Sequence, residues 1–379
     1  MIAKTKIISF FTMIFIITFT LFSKGEEVII ADSLQNNNAE NAPSSEESKK
    51  FEPGKFIFEH IGDSHSWHIL SIGEHDIAIP LPIIVYSQKQ KSLLVFMSSN
   101  FHHGKTSYKG LKIEKEGENK GKIVEVTEDG GLTTDITASK PIDLSLTKDV
   151  FEILICIGLM LWVFISIARK YAKNPLSAPK GLQSWIEPLI LFIRDDIARP
   201  AIGEKKYNKY IPFLLTSFFF IFFNNLLGLV PLFPGGANVT GNISVTLVLA
   251  INTFIITTFS GNKNYWKHIF NAPGVPWWLK FPIPLMPVIE IIGVITKPFV
   301  LMVRLFANIS AGHIIALGFF SLIFIFGNMS IYAGYSISVL SVTFTVFMTM
   351  LELLVAFIQA YVFTLLSALY FGMATEEHH

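Results

Sequence analysis

Pro298-Phe-Val-Leu-Met-Val-Arg304-Leu-Phe-Ala-Asn308-Ile-Ser-Ala-Gly312-His313 sets an arginine inside an apolar stretch that reads as membrane helix on both sides. Arg304 is the last Lys or Arg of the chain, and from Leu305 to Ala374 the only formally charged residue is Glu352. A guanidinium is permanently charged, so hydrocarbon around it costs a few kcal/mol or more. The ordinary alternative is an arginine that snorkels from a helix end to the headgroups. Some 20 apolar-rich residues follow before the next break, which argues for a charge held within the membrane.

Composition agrees. The 379 residues are 51% hydrophobic and 16% charged, against about 25% charged in soluble domains. Outward from Arg304, Pro282, Pro284 and Pro287 introduce a long segment over about 284–327, and another covers about 331–374. Residues 335–371 contain neither Gly nor Pro. These 37 residues, as one helix, would run roughly 55 Å against a hydrocarbon core of about 30 Å. The last two helices are therefore expected to be strongly tilted, as a hairpin suited to lie along another membrane object. Earlier spans are Val150–Ala168, apolar apart from Glu152, then Ile211–Val230 and Ile243–Phe259, both without charge. The fold expected is an all-α membrane protein of about five helices, preceded by a small exported β-rich domain.

The first part of the chain differs. Residues 1–23 read as a signal peptide, with Lys4 and Lys6 before the 16-residue apolar run Ile7–Phe22. No A-x-A cleavage site is visible, so an uncleaved anchor stays open. Residues 24–50 are polar and low in complexity, as in a disordered linker. Residues 51–147 carry short alternating runs such as Lys122-Ile-Val-Glu-Val-Thr, ended by Asp129-Gly-Gly, which read as strands and turns. The membrane domain is taken as 148–379. Nine Lys or Arg lie in 169–209, none in the loop 231–242, and three in 261–283. Basic loops stay inside, which puts the C-terminus in the cytoplasm and 24–147 outside, as an export signal also requires.

Glu290, Lys297 and Arg304 are spaced by seven, and Asn308 stands four further on. Seven residues return to within about 20° of the same helix face, so one stripe carries a carboxylate, an ammonium, a guanidinium and an amide. On the last helix Glu352 and Gln359 are again seven apart, and Tyr370 follows eleven later. His313, nine past Arg304, falls on roughly the opposite face. Lys297 beside Pro298 could simply snorkel, and Asn225 and Gln359 could be interhelical hydrogen-bond partners. Glu352 and His313 are harder to set aside, since intramembrane carboxylates and imidazoles mark proton relays.

The chemistry these residues point to is ion movement. No Gly-rich phosphate loop and no convincing metal set stands in the membrane part, and no cofactor is expected. Ser310 with His313 is a weak nucleophile–base pair. A secondary ion-coupled transporter is the rival reading, but no internal repeat is visible. Six of ten histidines, including His65, His68, His102 and His103, fall in the exported region without Cys or a defined ligand spacing. The single Cys156 excludes an intrachain disulfide.

Arg304-Leu-Phe-Ala-Asn308-Ile-Ser-Ala-Gly312-His313 resembles the signature of subunit a of the rotary ATP synthase membrane sector. The resemblance extends through Asn225-Leu-Leu-Gly-Leu-Val-Pro231, Glu290 with Lys297-Pro298, the helix of Glu352 and Gln359, and the ending Met373-Ala-Thr-Glu-Glu-His, over about 148–379. It implies a non-catalytic, proton-translocating subunit of a bacterial inner (plasma) membrane. Its partners would be the c-ring, the b subunits of the peripheral stalk, the rest of the ATP synthase and lipid, with no nucleic acid. By the same resemblance Arg304 matches the arginine facing the c-ring carboxylates. Asn308 and Gln359 match its polar neighbours, and Glu290, His313 and Glu352 match groups lining two half-channels. Many bacterial members carry an acid where His313 stands and a histidine where Glu352 stands; here the pair is exchanged.

Overall fold

The computed structural model describes residues 53–72, 75–102, 104, 106–114, 121–126, 141–173, 178–230, 233–270 and 285–376. The expected signal peptide, the linker and the turn at Asp129-Gly-Gly lie outside these residues.

The N-terminal region opens with a helix, α1 (Pro53–Ile61), that the strand-like pattern did not announce. Two strands, β1 (Ser66–Ile72) and β2 (His75–Pro80), pair antiparallel. A three-stranded sheet follows in the order β4 (Ser92–Met97), β3 (Pro82–Ser87), β7 (Ile142–Asp143), and β5 (Leu111–Ile113) pairs with β6 (Ile123–Glu125). Alternation along β3 turns Ile83, Val85 and Ser87 inward. They meet Phe96, Phe101, Leu111 and Ile123 in a small core of their own. The run 122–127 is thus a strand in its middle, as its alternation predicts.

Among the described residues five helices are long and apolar enough to cross a membrane. They are α2 (Lys148–Lys173), α5 (Tyr207–Gly228), α6 (Ile243–Ser260), α8 (Leu285–Met329) and α9 (Ile331–Thr375). The basic segment between α2 and α5 is not only loop. It holds α3 (Leu182–Phe192), a π-helical turn over Ile193–Ala198 and α4 (Arg199–Ile202). Its Lys and Arg content hid the apolar pattern of Leu182, Ile186, Leu189 and Ile190. A further short helix, α7 (Lys263–Phe270), lies after α6.

Phe218, Phe219 and Phe220 of α5 are fully buried and set the middle of the bundle. Phe219 meets Phe164 of α2 edge-on at 4.9 Å, and Phe218 meets Phe357 of α9 at 5.9 Å. Nearer one end Tyr210 stacks on Phe371 at 4.9 Å. These contacts fix α2, α5 and α9 relative to one another.

The final hairpin follows its sequence closely. Helices α8 and α9 are each 45 residues, roughly 68 Å at 1.5 Å per residue and more than twice a hydrocarbon core. Only Ser330, in extended backbone (φ −162°, ψ 139°), separates them. A Cβ at Gly334 would lie 2.9 Å from the Gly327 Cα, so the close approach of the two helices at the reversal depends on Gly334 having no side chain. Large apolar side chains are exposed along both helices, among them Ile292, Ile295, Phe299, Val339, Phe347 and Met350.

Candidate functional site

Two clefts, each with a few polar groups set in mostly apolar walls, flank Arg304 along α8. The first is a cavity of about 160 Å³ lined by Asn225 of α5, Asn308, Gly312 and His313 of α8, and Glu352 of α9. His313 Nδ1 stands 3.9 Å from Glu352 Oε1, and both side chains are mostly buried. That Glu352 oxygen has no hydrogen-bond partner. Gly312 makes the approach possible, because a Cβ at 312 would fall 2.7 Å from Glu352 Oε1.

Asn225 is held from two sides. Its Nδ2 donates to the Ala356 carbonyl at 3.3 Å, and its Oδ1 accepts from the Thr240 hydroxyl. The loop 233–242 carries Thr240 inward because Asn242 caps α6: its Oδ1 accepts from Ser244 N–H at 3.0 Å. Ser310 Oγ donates to the Gly241 carbonyl at 3.2 Å. The hydroxyl is thereby tied to the loop, which removes the nucleophile–base pairing of Ser310 with His313.

The second cleft, on the other side of Arg304, is a crevice of only about 10 Å³, where Phe254, Val294 and Pro298 stand beside Thr253, Thr257, Tyr265, Lys297 and Tyr370. The Lys297 ammonium sits 5.7 Å over the Tyr370 ring, a fixed position rather than free snorkelling. Glu290 continues the same face, with Oε1 3.9 Å from His268 Nδ1. Burial and the Glu290 carboxylate raise the nearby Tyr265 phenol.

Arg304 lies between the clefts, seven residues from Lys297 and four from Asn308. It is exposed, and it makes no hydrogen bond or ion pair with any described residue. The stripe expected from the seven-residue spacing is therefore formed, with His313 turned away toward Glu352. Gln359 is buried at 6% exposure and forms no hydrogen bond to Arg304. In the N-terminal region His65 Nε2 is engaged with Asp143 Oδ2 at 2.9 Å.

Sequence reasoning missed a polar group at the N-terminal end of α2. Lys148, Asp149 and Glu152 are all buried, and Glu152 Oε2 accepts from Ala237 N–H at 2.8 Å. The signal was there: a carboxylate four residues into an apolar run, facing a Gly-rich loop that carries Asn238 and Asn242.

A family profile described as ATP synthase A chain matches residues 150–372. A second, described as a domain of unknown function (DUF8433), matches 56–144. ATP synthase subunit a 2 of Chlorobaculum tepidum is 46% identical over 241 residues, 62% of this chain and 64% of the relative. ATP synthase subunit a of Chloroherpeton thalassium is 43% identical over 244 residues, 62% of this chain and 69% of the relative. That of Myxococcus xanthus is 43% identical over 245 residues, 63% of this chain and 75% of the relative. The matches fall on the membrane helices and the clefts they form, and on that ground the chain belongs to the ATP synthase A chain family.

Proposed function

We propose that this chain is the stator ion-channel subunit of a rotary ATP synthase, and that Arg304 separates two half-channels serving the carboxylates of a c-ring. One half-channel is lined by Asn225, Asn308, His313 and Glu352, the other by Glu290, Lys297 and Tyr370. The observation that carries this reading is the exposed, unpaired Arg304 between two clefts on an apolar helix face. A guanidinium there is costly unless a counter-charge meets it, and no described residue offers one. A carboxylate on a moving neighbour satisfies it.

The mechanism follows from charge. A proton enters one cleft, neutralises a ring carboxylate, and travels with it through lipid, where a charged carboxylate could not go. On return, Arg304 favours the ionised carboxylate and drives release into the second cleft. It also repels a cation trying to pass straight from cleft to cleft. Arginine suits this role better than lysine, which gives up its proton more readily when desolvated. His313 and Glu352 relay protons in the first cleft, and Gln359 backs the arginine from α9.

The same reading takes 1–23 as a signal peptide, 24–50 as a linker, 51–147 as an extension outside the inner membrane, and the C-terminus as cytoplasmic. The c-ring and the b subunits of the peripheral stalk are its partners, and catalysis of ATP formation lies in other subunits. Arg304→Ala in the whole complex is expected to abolish gradient-driven ATP synthesis while native gels still show assembled enzyme. Coupled synthesis by that variant overturns the assignment.

A further inference from the structure

Asp63 lies outside the membrane helices, just beyond α1, yet its Oδ1 accepts from the backbone N–H of Asp149 at 3.1 Å. Lys148 ties the same junction: its N–H donates to the Ser64 carbonyl at 2.9 Å and its ammonium to the His60 carbonyl at 3.1 Å. Asp149 Oδ2 accepts from Asn242 Nδ2 at 3.0 Å. Glu152 comes one turn deeper on α2, on the same face. It is fully buried, and while Oε2 takes the Ala237 N–H, Oε1 has no partner. Asn238, the next residue along the loop, is buried with neither of its side-chain polar atoms bonded.

These groups reach the first cleft. The Ala237 carbonyl and His313 Nε2 both flank Gly228, where a Cβ would meet them at 3.0 and 3.8 Å. His313 in turn faces Glu352 at 3.9 Å. Polar groups therefore stand at intervals from the N-terminal domain to the site: Asp63, Asp149, Glu152, Asn238 and His313. Buried polar atoms lacking protein partners are costly to keep and are ordinarily satisfied by water.

We infer that the exported domain forms the mouth of the outer half-channel, with protons entering at Asp63 and passing Asp149 and Glu152, along the 233–242 loop, to His313 and Glu352. Each carboxylate takes a proton from water on its outer side and returns it to water on its inner side, so charge and atoms balance. This rests on the proposed function above. Burial and the Asp149 carboxylate push Asp63 up to about 7, which leaves it near half-protonated at neutral pH, as a relay group needs. The titratable groups facing it are Asp149 on α2 and His65 in its own domain.

The test uses Asp63→Asn and Glu152→Gln in the assembled complex. Both amides keep an oxygen to accept the Asp149 and Ala237 N–H groups, so a purely structural clamp would survive. Passive proton conductance of F1-stripped vesicles, driven from the outer side, is expected to fall at least threefold for Asp63→Asn and at least tenfold for Glu152→Gln. The dependence of conductance on outer pH near 7 should also flatten in Asp63→Asn. Assembled variants that conduct as wild type with an unchanged pH profile overturn the inference. If either variant fails to assemble, Asp63→Cys with Cys156→Ser supplies a single thiol for an anionic methanethiosulfonate added from outside. Conductance lost on labelling supports the mouth, and full labelling without loss overturns it. Arg304→Ala is run beside these. If it abolishes coupling while the mouth variants are normal, only this inference falls; if it couples normally, the proposed function falls.

Discussion

Replacing Gly312 by alanine tests whether the distance between His313 and Glu352 matters. The new Cβ would sit 2.7 Å from Glu352 Oε1, 3.1 Å from its Cγ and 3.3 Å from its Cδ. Ordinary contacts are about 3.5–4.0 Å, so the carboxylate must retreat by roughly 1 Å. It is the far end of a flexible side chain, and the retreat costs about 0.5–1.5 kcal/mol in rotamer strain. Gly→Ala inside a helix returns about 1 kcal/mol, so assembled enzyme should be as abundant and stable as before. Transport should not be. The carboxylate leaves a position 3.9 Å from His313, and if the strain is felt at the transfer step the rate falls about 2- to 10-fold. ATP-driven proton uptake by inside-out vesicles, normalised to assembled complex, reads this directly. Combining Gly312→Ala with Glu352→Asp withdraws the carboxylate by about one bond length, ~1.5 Å, and should recover part of the loss relative to Glu352→Asp alone, as a coupled pair does. Uptake at the wild-type rate in Gly312→Ala, or a loss that shortening does not relieve, refutes the reasoning.

Two other substitutions probe what holds the frame. Gly372 of α9 packs on the Ala201 carbonyl of α4, where a Cβ would meet backbone that cannot yield. Gly372→Ala should therefore cost about 1–3 kcal/mol as overpacking, seen as less complex on native gels or a lower melting temperature in detergent. Asp143 is opposed by burial, but its bonds to His65 and Ser145 hold it down at about 2, below the ordinary 3.8. Its contribution is therefore complete above about pH 4 and is lost as pH falls through 2. Asp143→Asn should destabilise the N-terminal domain at neutral pH by at most about 2 kcal/mol. In the full complex this appears as faster hydrogen exchange at the Val85 and Tyr86 amides opposite β7.

The long hairpin was legible because it obeys one rule over its whole length: apolar residues with no breaker between 335 and 371. The stripe of Glu290, Lys297 and Arg304 was legible because a seven-residue spacing survives any helix packing. The helices around 182–202 were not, since their apolar residues are diluted by Pro188 and by the Arg194, Asp195 and Arg199 pairs. Helix α1 was hidden by its brevity. The Lys148–Asp149–Glu152 group escaped for a deeper reason. Each of those residues looks like an ordinary helix start, and only the tertiary approach of the loop 233–242 and of Asp63 buries it. Periodicity reports faces, not which loop will cover them.

How the hairpin treats its polar groups separates structure from function. Most of its hydroxyls are satisfied within their own helices: Thr296, Ser321, Thr343, Thr345, Thr349, Thr364, Ser367 and Thr375 each donate to a carbonyl four residues back, while Ser310 and Ser341 donate to the Gly241 and Phe319 carbonyls. Bonds within a helix let neutral polar residues face lipid or a neighbour at little cost, and they need no partner. Arg304 has no such recourse, because its five donors reach beyond its own helix turn, and no described residue meets them. A helix pair that settles most of its small hydroxyls locally, while leaving its one guanidinium open on an apolar exposed face, is not poorly packed. The open charge is stable only when something outside the chain answers it, so removing Arg304 should leave the fold intact while removing the reason for the surface around it.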